Sequence, residues 1–185
     1  MGWKESHKQE SRQRILNAAA ELFTRKGFNQ VGIDEVMQTA GMTRGAFYAH
    51  FTSKHELYDE AIISAGIAAV EHFNKNSPSL DDLIHNYLSN EHLSSNHIRC
   101  PMACLVSDVA HNDKHVKDTY TKMLKGFSGH LKSLAHNNIN DEKVLLQAVL
   151  LIGGMAIARS VTDKKLSEQI LSVCCTAAKE QINAH

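Results

Sequence analysis

The sequence predicts an all-α chain, and three observations predict it. Apolar residues recur at i, i+3, i+4 spacing through most of the 185 residues. Only 2 prolines occur, and aromatic residues make up 6% of the chain. No β-branched segment alternates with the period of two that a half-buried strand requires. The expected architecture is a three-helix N-terminal head, residues 1–53, followed by a helical body, residues 54–185, with about nine helices in all.

Arg12 to Phe23 reads as an amphipathic helix with Ile15, Leu16, Ala19, Leu22 and Phe23 facing inward. It stops at Lys26-Gly27-Phe28, a cation in the last turn and then a glycine C-cap. Ile33 to Ala40 is a second, short helix. Gly41 can take the φ > 0 that a tight inter-helix turn needs, and Thr43 is expected as N-cap, its hydroxyl accepting from an orphan N–H. After it, Ala46, Phe47 and Phe51 fall inward, leaving Arg44, Tyr48 and His50 outward with Lys54 just beyond. A helix of six to eight residues with a cationic, hydrogen-bonding outer face is the reading half of a helix-turn-helix, the unit that lies in the DNA major groove. The expected DNA-contacting residues are Thr43, Arg44, Gly45, Tyr48, His50 and Lys54. An ordinary αα-hairpin with a solvated face is the competing reading.

The body continues as helices with clear punctuation. Lys54 or Glu56 to about Lys75 forms one long helix, with Leu57, Ile62, Ile63, Ala65, Ile67, Ala69, Val70 and Phe73 as a nearly continuous apolar side, ending at Asn74-Lys75-Asn76-Ser77-Pro78. Ser79 caps a short helix to about Asn90 that buries Leu80, Leu83, Ile84, Tyr87 and Leu88. Glu91 to Asn96 reads as a polar loop. Cys100-Pro101 opens a helix to about Asn112, since proline favours the first helical position. Asp113 caps another to His136, Asn137 to Asn140 is a turn, and Asp141–Val161 and Leu166–Ile182 are the last two helices.

Those last helices are apolar nearly all round, so each must be buried on two sides. A chain this short has little to cover them with, and a two-fold homodimer is the economical solution. The expected interface comprises Leu150, Gly153, Gly154, Ile157, Ile170, Cys174 and Ala177. A helix buried inside one subunit is the alternative.

The formal net charge is +0, which by itself argues against a nucleic-acid binder. Its distribution does not: residues 1–55 carry eight Lys/Arg against five acidic residues, so +3, and the remainder is −3. The N-terminus is polar from Lys4 to Arg14, so no secretory leader is expected. The longest apolar run, Val144 to Ala158, is interrupted by Gln147 and reads as too short to span a bilayer. A cytoplasmic chain with no membrane partner is expected.

Taken in order, Ile15-Leu16, Ala18-Ala19, Leu22-Phe23, Gly27-Phe28, Ala40-Gly41, Gly45, Tyr48, His50-Phe51, Ser53-Lys54 and Leu57 closely resemble the DNA-binding domain of the TetR (tetracycline repressor)/AcrR-type family of bacterial regulators. The resemblance covers residues 12–58. In one departure, Val31-Gly32 stands where the family often has Thr-Ser or Thr-Thr, so a phosphate-contacting hydroxyl is missing. The run from Gly153 to Arg159, with Asp163 and Leu166 to Leu171, is similar to the C-terminal half of one broad subgroup. The resemblance implies a repressor that binds double-stranded, pseudo-palindromic operator DNA, dimerises through its last two helices and is released by a small-molecule inducer. The helix from residue 56 to 75 is the natural lever, coupling ligand to head spacing by population shift.

The effector is less legible. Met102, Leu105, Val106, Tyr120, Met123, Phe127 and Leu131 could line an apolar pocket, and fit core packing equally well. Cys100, an N-cap beside Arg99, is expected to favour thiolate, with Cys104 one turn along. That suggests an oxidant or electrophile sensor, against the plainer reading of a small apolar residue at a helix start. The four cysteines (100, 104, 174, 175) do not suggest structural disulfides. Twelve histidines raise metal sensing or, remotely, a di-iron bundle enzyme, through Asp82/His85, Asp108/His111 and His111/His115. His111 and His115 straddle a helix break at Asn112-Asp113, however, and His92, His97, His130, His136 and His185 sit among polar neighbours as surface groups. No metal site, cofactor or catalytic residue is therefore expected, and an enzyme has no use for the Arg44/Tyr48/His50/Lys54 face.

Overall fold

The computed structural model describes residues 2–76, 79–94, 100–135 and 139–183. The expectations that touch Ser77-Pro78, Asn96, His97, Arg99, His136, Asn137 and His185 lie outside the described residues. Among the described residues the chain forms ten helices and no strand: α1 Gly2–Lys26, α2 Ile33–Thr39, α3 Arg44–Phe47, α4 Lys54–Asn76, α5 Leu80–Tyr87, α6 Asn90–Ser94, α7 Pro101–Ala110, α8 Lys114–Leu134, α9 Asp141–Ser160 and α10 Lys164–Asn183. They separate into two compact units, residues 1–67 with 105–120 and residues 68–104 with 121–185. The first unit therefore reaches past residue 53, taking in the start of α4, the end of α7 and the start of α8.

In the first unit, Ile15, Ala19 and Phe23 of α1, Val36 and Met37 of α2, Phe47 of α3 and Leu57, Tyr58 and Ala61 of α4 are all buried. Tyr58 meets Phe23 and Phe28 edge-on, with centroids 5.0 and 5.1 Å away. Helix α1 begins ten residues before Arg12. That extension, Gly2 to Ser11, is mostly polar and has no apolar repeat, so periodicity carried no sign of it. Gly27 and Gly41 do take positive φ, +80° and +66°. At Gly27 a Cβ would lie 2.2 Å from the Asp108 carboxylate. That carboxylate accepts from the Phe28 N–H at 3.0 Å and from the Asn112 side-chain amide at 3.1 Å. The turn after α1 thus closes on the last turn of α7. Ser53 caps α4 through the Glu56 N–H at 3.1 Å, while the Glu56 carboxylate accepts from the Thr52 N–H at 2.6 Å, close to a capping box. Asp113 caps α8 through the Val116 N–H at 3.0 Å.

In the second unit Ser79 and Asn140 cap α5 and α9 through the N–H groups of Asp82 and Lys143. The expected inward face of α5, Leu80, Leu83, Ile84 and Tyr87, is buried together with Leu88. Residues 91–94 of the expected polar loop belong instead to the short helix α6, with His92 buried at 5% exposure. Ser89 starts it by accepting from the His92 N–H at 3.1 Å. His92 is not a surface group, and His130 is half-buried with an unpartnered Nε2. Helix α9 packs along α10, where the Gln147 amide donates to the Ala178 carbonyl at 2.7 Å.

Gly154 corrects the expected interface. A Cβ there would lie 2.8 Å from the Cys174 sulfur and 3.3 Å from a Leu88 methyl, so Gly154 and Cys174 serve close packing of α9, α10 and α5 within one chain. Gly153, by contrast, faces open space. The apolar side expected along α4 also breaks, since Ile67 is exposed. At 20 residues, α9 is long and apolar enough to cross a membrane by length and composition, contrary to the run-length expectation, because the helix outlasts the apolar run. Buried core helices pass the same test, and 44% of its apolar window is buried.

Candidate nucleic-acid interface

The turn from α2 into α3 is built by few residues. Gly41 turns the chain in left-handed conformation, and the Met42 N–H returns to the Met37 carbonyl at 2.8 Å. The Arg14 guanidinium donates to the Ala40 carbonyl at 2.6 Å, pinning the end of α2 to α1. Helix α3 has only four residues, then tightens into a turn whose Phe51 N–H still reaches the Phe47 carbonyl at 2.9 Å. The expected six to eight residues are thus a helix plus a terminal turn. Thr43 occupies the N-cap with extended backbone, but its hydroxyl makes no capping bond, which corrects that expectation and leaves the hydroxyl exposed.

Phe47 and Phe51 are buried, with centroids 5.7 Å apart, and anchor the opposite face of the turn. Arg44 and Tyr48 project outward, and Gly45 has open space around it, its nearest neighbour being the Thr43 hydroxyl at 4.0 Å. Arg44 pairs with Asp34 at 2.7 Å, and the Tyr48 hydroxyl and Asp34 together raise its pKa. Both partners of that ion pair are more than 60% exposed, so solvent screens it and a phosphate or base edge can replace it at little cost. His50 is only partly outward. Its Nδ1 is buried without a partner, and burial, with Lys8 and Arg12 nearby, lowers its pKa. Lys54 is half-buried, its ammonium 4.4 Å from the centre of the Phe28 ring, and burial pushes its pKa down.

The charge of the head is largely internal. Arg12 pairs with Glu60 and lies over the Phe51 ring at 4.8 Å, Arg25 pairs with Glu21, and Lys26 pairs with Glu35. Glu21 and Glu35 are already counted in the +3 excess, so only Glu60, outside residues 1–55, lowers it, and Arg44 stands out as an exposed cation on the reading face. Two groups that sequence reasoning missed lie further back: Asp108 on the Gly27-Phe28 turn, and His115 with Thr119 on the Asp59 carboxylate. The His55 ring, 2.9 Å from Asp113, meets the His115 ring at 4.8 Å. Nothing in local spacing marks such contacts, because residues about 56 to 80 positions apart make them.

The other expected sites fare unevenly. Met102 and Leu105 are buried, Tyr120, Met123 and Phe127 half-buried, and Val106 is 43% exposed rather than inward. Leu105, Val106 and Tyr120 belong to the first unit, and Met102, Met123 and Phe127 to the second. Cys100 is 6% exposed, too enclosed for the accessible thiolate expected of it. Cys104, half-buried, instead receives the Arg159 guanidinium on its sulfur at 3.2 Å. Burial pushes the Cys174 and Cys175 thiols up.

A short turn held by a left-handed glycine, an aromatic anchor behind it and a polar, cationic face in front define the class: a helix-turn-helix head of the kind found in transcriptional regulators. Residues 15–61 match the family model described as bacterial regulatory proteins, tetR family. Over 52 residues the chain is 44% identical to the HTH-type transcriptional regulator AcrR of Shigella flexneri, covering 28% of this chain and 24% of that one. The likeness to the tetR family of bacterial regulatory proteins is thus carried by this head. It spans about a quarter of the length of such curated relatives. Two solved structures share the fold along nearly the whole chain. A putative TetR-family transcriptional regulator from a Rhodococcus species has a TM-score of 0.76 at 15% identity, with 94% of this chain and 99% of that one covered. The reduced form of Escherichia coli NemR has a TM-score of 0.73 at 17% identity, with 92% and 96% covered.

Proposed function

We propose that this chain is a transcriptional repressor that binds a pseudo-palindromic operator as a homodimer and is released by a small-molecule inducer. The observation that carries the reading is the outer face of α3, where Arg44, Gly45 and Tyr48 are exposed while Phe47 and Phe51 hold them from behind. Arg44 is the candidate for a base edge. Thr43, Tyr48, His50 and Lys54 suit phosphate and sugar contacts, which set register without reading sequence. The space around Gly45 lets a DNA backbone come close.

One such helix reads only a few base pairs, so affinity rests on a second copy. Leu145, Val149, Gly153 and Ile157 recur every four residues on the open side of α9, and Leu166, Ile170, Val173 and Ala177 form a matching series on α10. Five of these, Leu145, Val149, Ile157, Leu166 and Val173, are 44–67% exposed. Half-buried Leu150 adjoins the stripe. Gln147 of α9 is buried against α10, and α10 itself carries Lys164, Lys165, Glu168 and Gln169, so this pair of helices suits a protein partner better than lipid. The sign of regulation and the inducer come from the family resemblance.

Gel shift against the DNA upstream of its own coding sequence, with sedimentation in parallel, tests the reading. We expect a dimer at micromolar concentration and a salt-sensitive, sequence-specific shift. A monomer, or binding indifferent to sequence, overturns it.

A further inference from the structure

Within the second unit, buried polar groups without partners collect in one place. His92 is 5% exposed, and its Nδ1 lies 2.7 Å from the Tyr87 carbonyl. That nitrogen must carry the proton and donate, which leaves Nε2 with a lone pair. Nε2 is buried and has no partner. Burial holds the His92 pKa to about 4, so the ring is neutral at neutral pH. The Tyr87 side chain is equally enclosed, and its hydroxyl faces only the Cys100 thiol, a weak partner that makes no well-formed hydrogen bond with it. The two rings meet edge-on at 4.8 Å, with Phe73 5.0 Å from His92 and Phe127 5.9 Å from Tyr87.

Arg159 of α9 reaches the same cluster. One guanidinium nitrogen donates to the Cys104 sulfur at 3.2 Å and the other to the His92 carbonyl at 3.0 Å. The acceptors are a carbonyl and a cysteine sulfur, and among the described residues no carboxylate pairs with this half-buried cation. A buried lone pair, a buried hydroxyl and a guanidinium with no carboxylate beside it are each costly alone and are tolerated where something else completes them. An internal water could answer the first two, but it brings no charge to Arg159.

We propose that Tyr87, His92 and Arg159 form the polar anchor of a binding site for a small aromatic hydroxycarboxylate. The carboxylate supplies the missing counter-charge to Arg159 and accepts from the Tyr87 hydroxyl. The ligand's own hydroxyl donates to His92 Nε2, and the Phe73 and Phe127 rings take its aromatic body. This ligand class satisfies all three groups and leaves the site neutral. A plain carboxylate would face the Nε2 lone pair with no donor, and a plain phenol would leave Arg159 uncompensated.

Identification of this site as the inducer site rests on the regulatory reading above, so binding and DNA release are measured separately. Calorimetry on the full chain without DNA uses the three hydroxybenzoate isomers, benzoate and phenol as probes. At least one hydroxybenzoate is expected to bind roughly tenfold more tightly than benzoate or phenol, because it alone satisfies all three groups. Arg159→Gln should erase the advantage over phenol, and His92→Phe, which keeps an aromatic ring in the packing, the advantage over benzoate. Tyr87→Phe removes one hydroxyl with little change of shape and should weaken hydroxybenzoate severalfold even if Arg159→Gln fails to fold. No binding by any isomer, equal affinity for all five probes, or affinity unchanged in His92→Phe and Tyr87→Phe overturns the site. So does a high-resolution structure with hydroxybenzoate present that shows an internal water only at Nε2. Binding without release of operator DNA would leave the site standing and count against its role as inducer site.

Discussion

The two compact units solve the burial of polar groups in opposite ways. In the first unit the buried or half-buried charges find partners nearby: Arg14 on the Ala40 carbonyl, Arg12 on Glu60, Asp108 on the Phe28 N–H and Asp59 on His115 and Thr119. Among its described residues His50 Nδ1 is the one buried side-chain polar atom without a partner, and it lies on the face proposed to meet DNA. Among its described residues the second unit has four: Tyr87 hydroxyl, His92 Nε2, His130 Nε2 and Gln147 Oε1. It also carries the open apolar stripe of α9 and α10. A unit that is internally complete presents a rigid face, whereas one with unmet donors, acceptors and apolar surface is built to be completed by others.

The largest expected effect tests the incompleteness of α9. Ile157→Asp sets like charges near a two-fold axis and should weaken dimerisation roughly a hundredfold or more, with operator affinity falling alongside. Sedimentation equilibrium reads it, and an unchanged dimer would move the interface elsewhere. Gly154→Leu is the contrasting variant. It overpacks Cys174 and Leu88 within one chain, so it should cost about 1–3 kcal/mol of fold stability, with assembly affected only secondarily.

The completeness of the first unit is tested at Gly27. Valine there must adopt a strained positive φ and displace the Asp108 carboxylate from the Phe28 N–H. Denaturant unfolding should show a loss of about 3 kcal/mol. A near-neutral effect would mean that the α7 contact contributes little to the head.

Acid should find the second unit's weak point. The folded His92 pKa, about 4, lies below its ordinary 6.5, so the unfolded chain takes up that proton first as pH falls. The stability due to neutral His92 is complete above about pH 6.5 and is lost between there and about pH 4, by about 2–3 kcal/mol. Melting temperature measured across that window should flatten in His92→Phe. An equal slope in the variant would assign the acid sensitivity to other groups.

The smallest effects belong to the reading face itself. Arg44→Ala should reduce operator affinity about ten- to a hundredfold, concentrated at one base position of each half-site. Lys54→Ala should weaken all sequences only severalfold and lower the salt slope by about one. If Lys54→Ala leaves that slope unchanged, its ammonium belongs to the Phe28 ring and not to a phosphate.

Much of the head was legible in the chain because its information is local. Gly27 and Gly41 are residues whose backbone preference is intrinsic, and Phe47, Phe51 and Leu57 lie within one short stretch, whereas buried Tyr58 was not marked by it. The caps Ser79 and Asp113 were legible for the same reason, since an N-cap bond spans three residues. The Thr43 cap fails because a suitable residue in the right conformation does not oblige its hydroxyl to bond inward. Helix α6 was hidden because its polar sequence has no apolar period, and burial of His92 depends on Phe73, Tyr87 and Arg159, up to 67 residues away.

By itself the sequence determined the helical class, the order of the elements other than α6, the turn geometry at Gly27 and Gly41 and the likeness of the head to one family. All of these follow from backbone preferences and periodicities that act within a few residues. Only the tertiary structure decided which of two adjacent glycines faces outward, which cysteine meets Arg159 and which histidine is buried. Gly153 and Gly154 have the same composition and nearly the same address, but one turn step of 100° sends them to opposite surroundings. Burial is a property of what packs against a residue, and that partner is set by the whole chain.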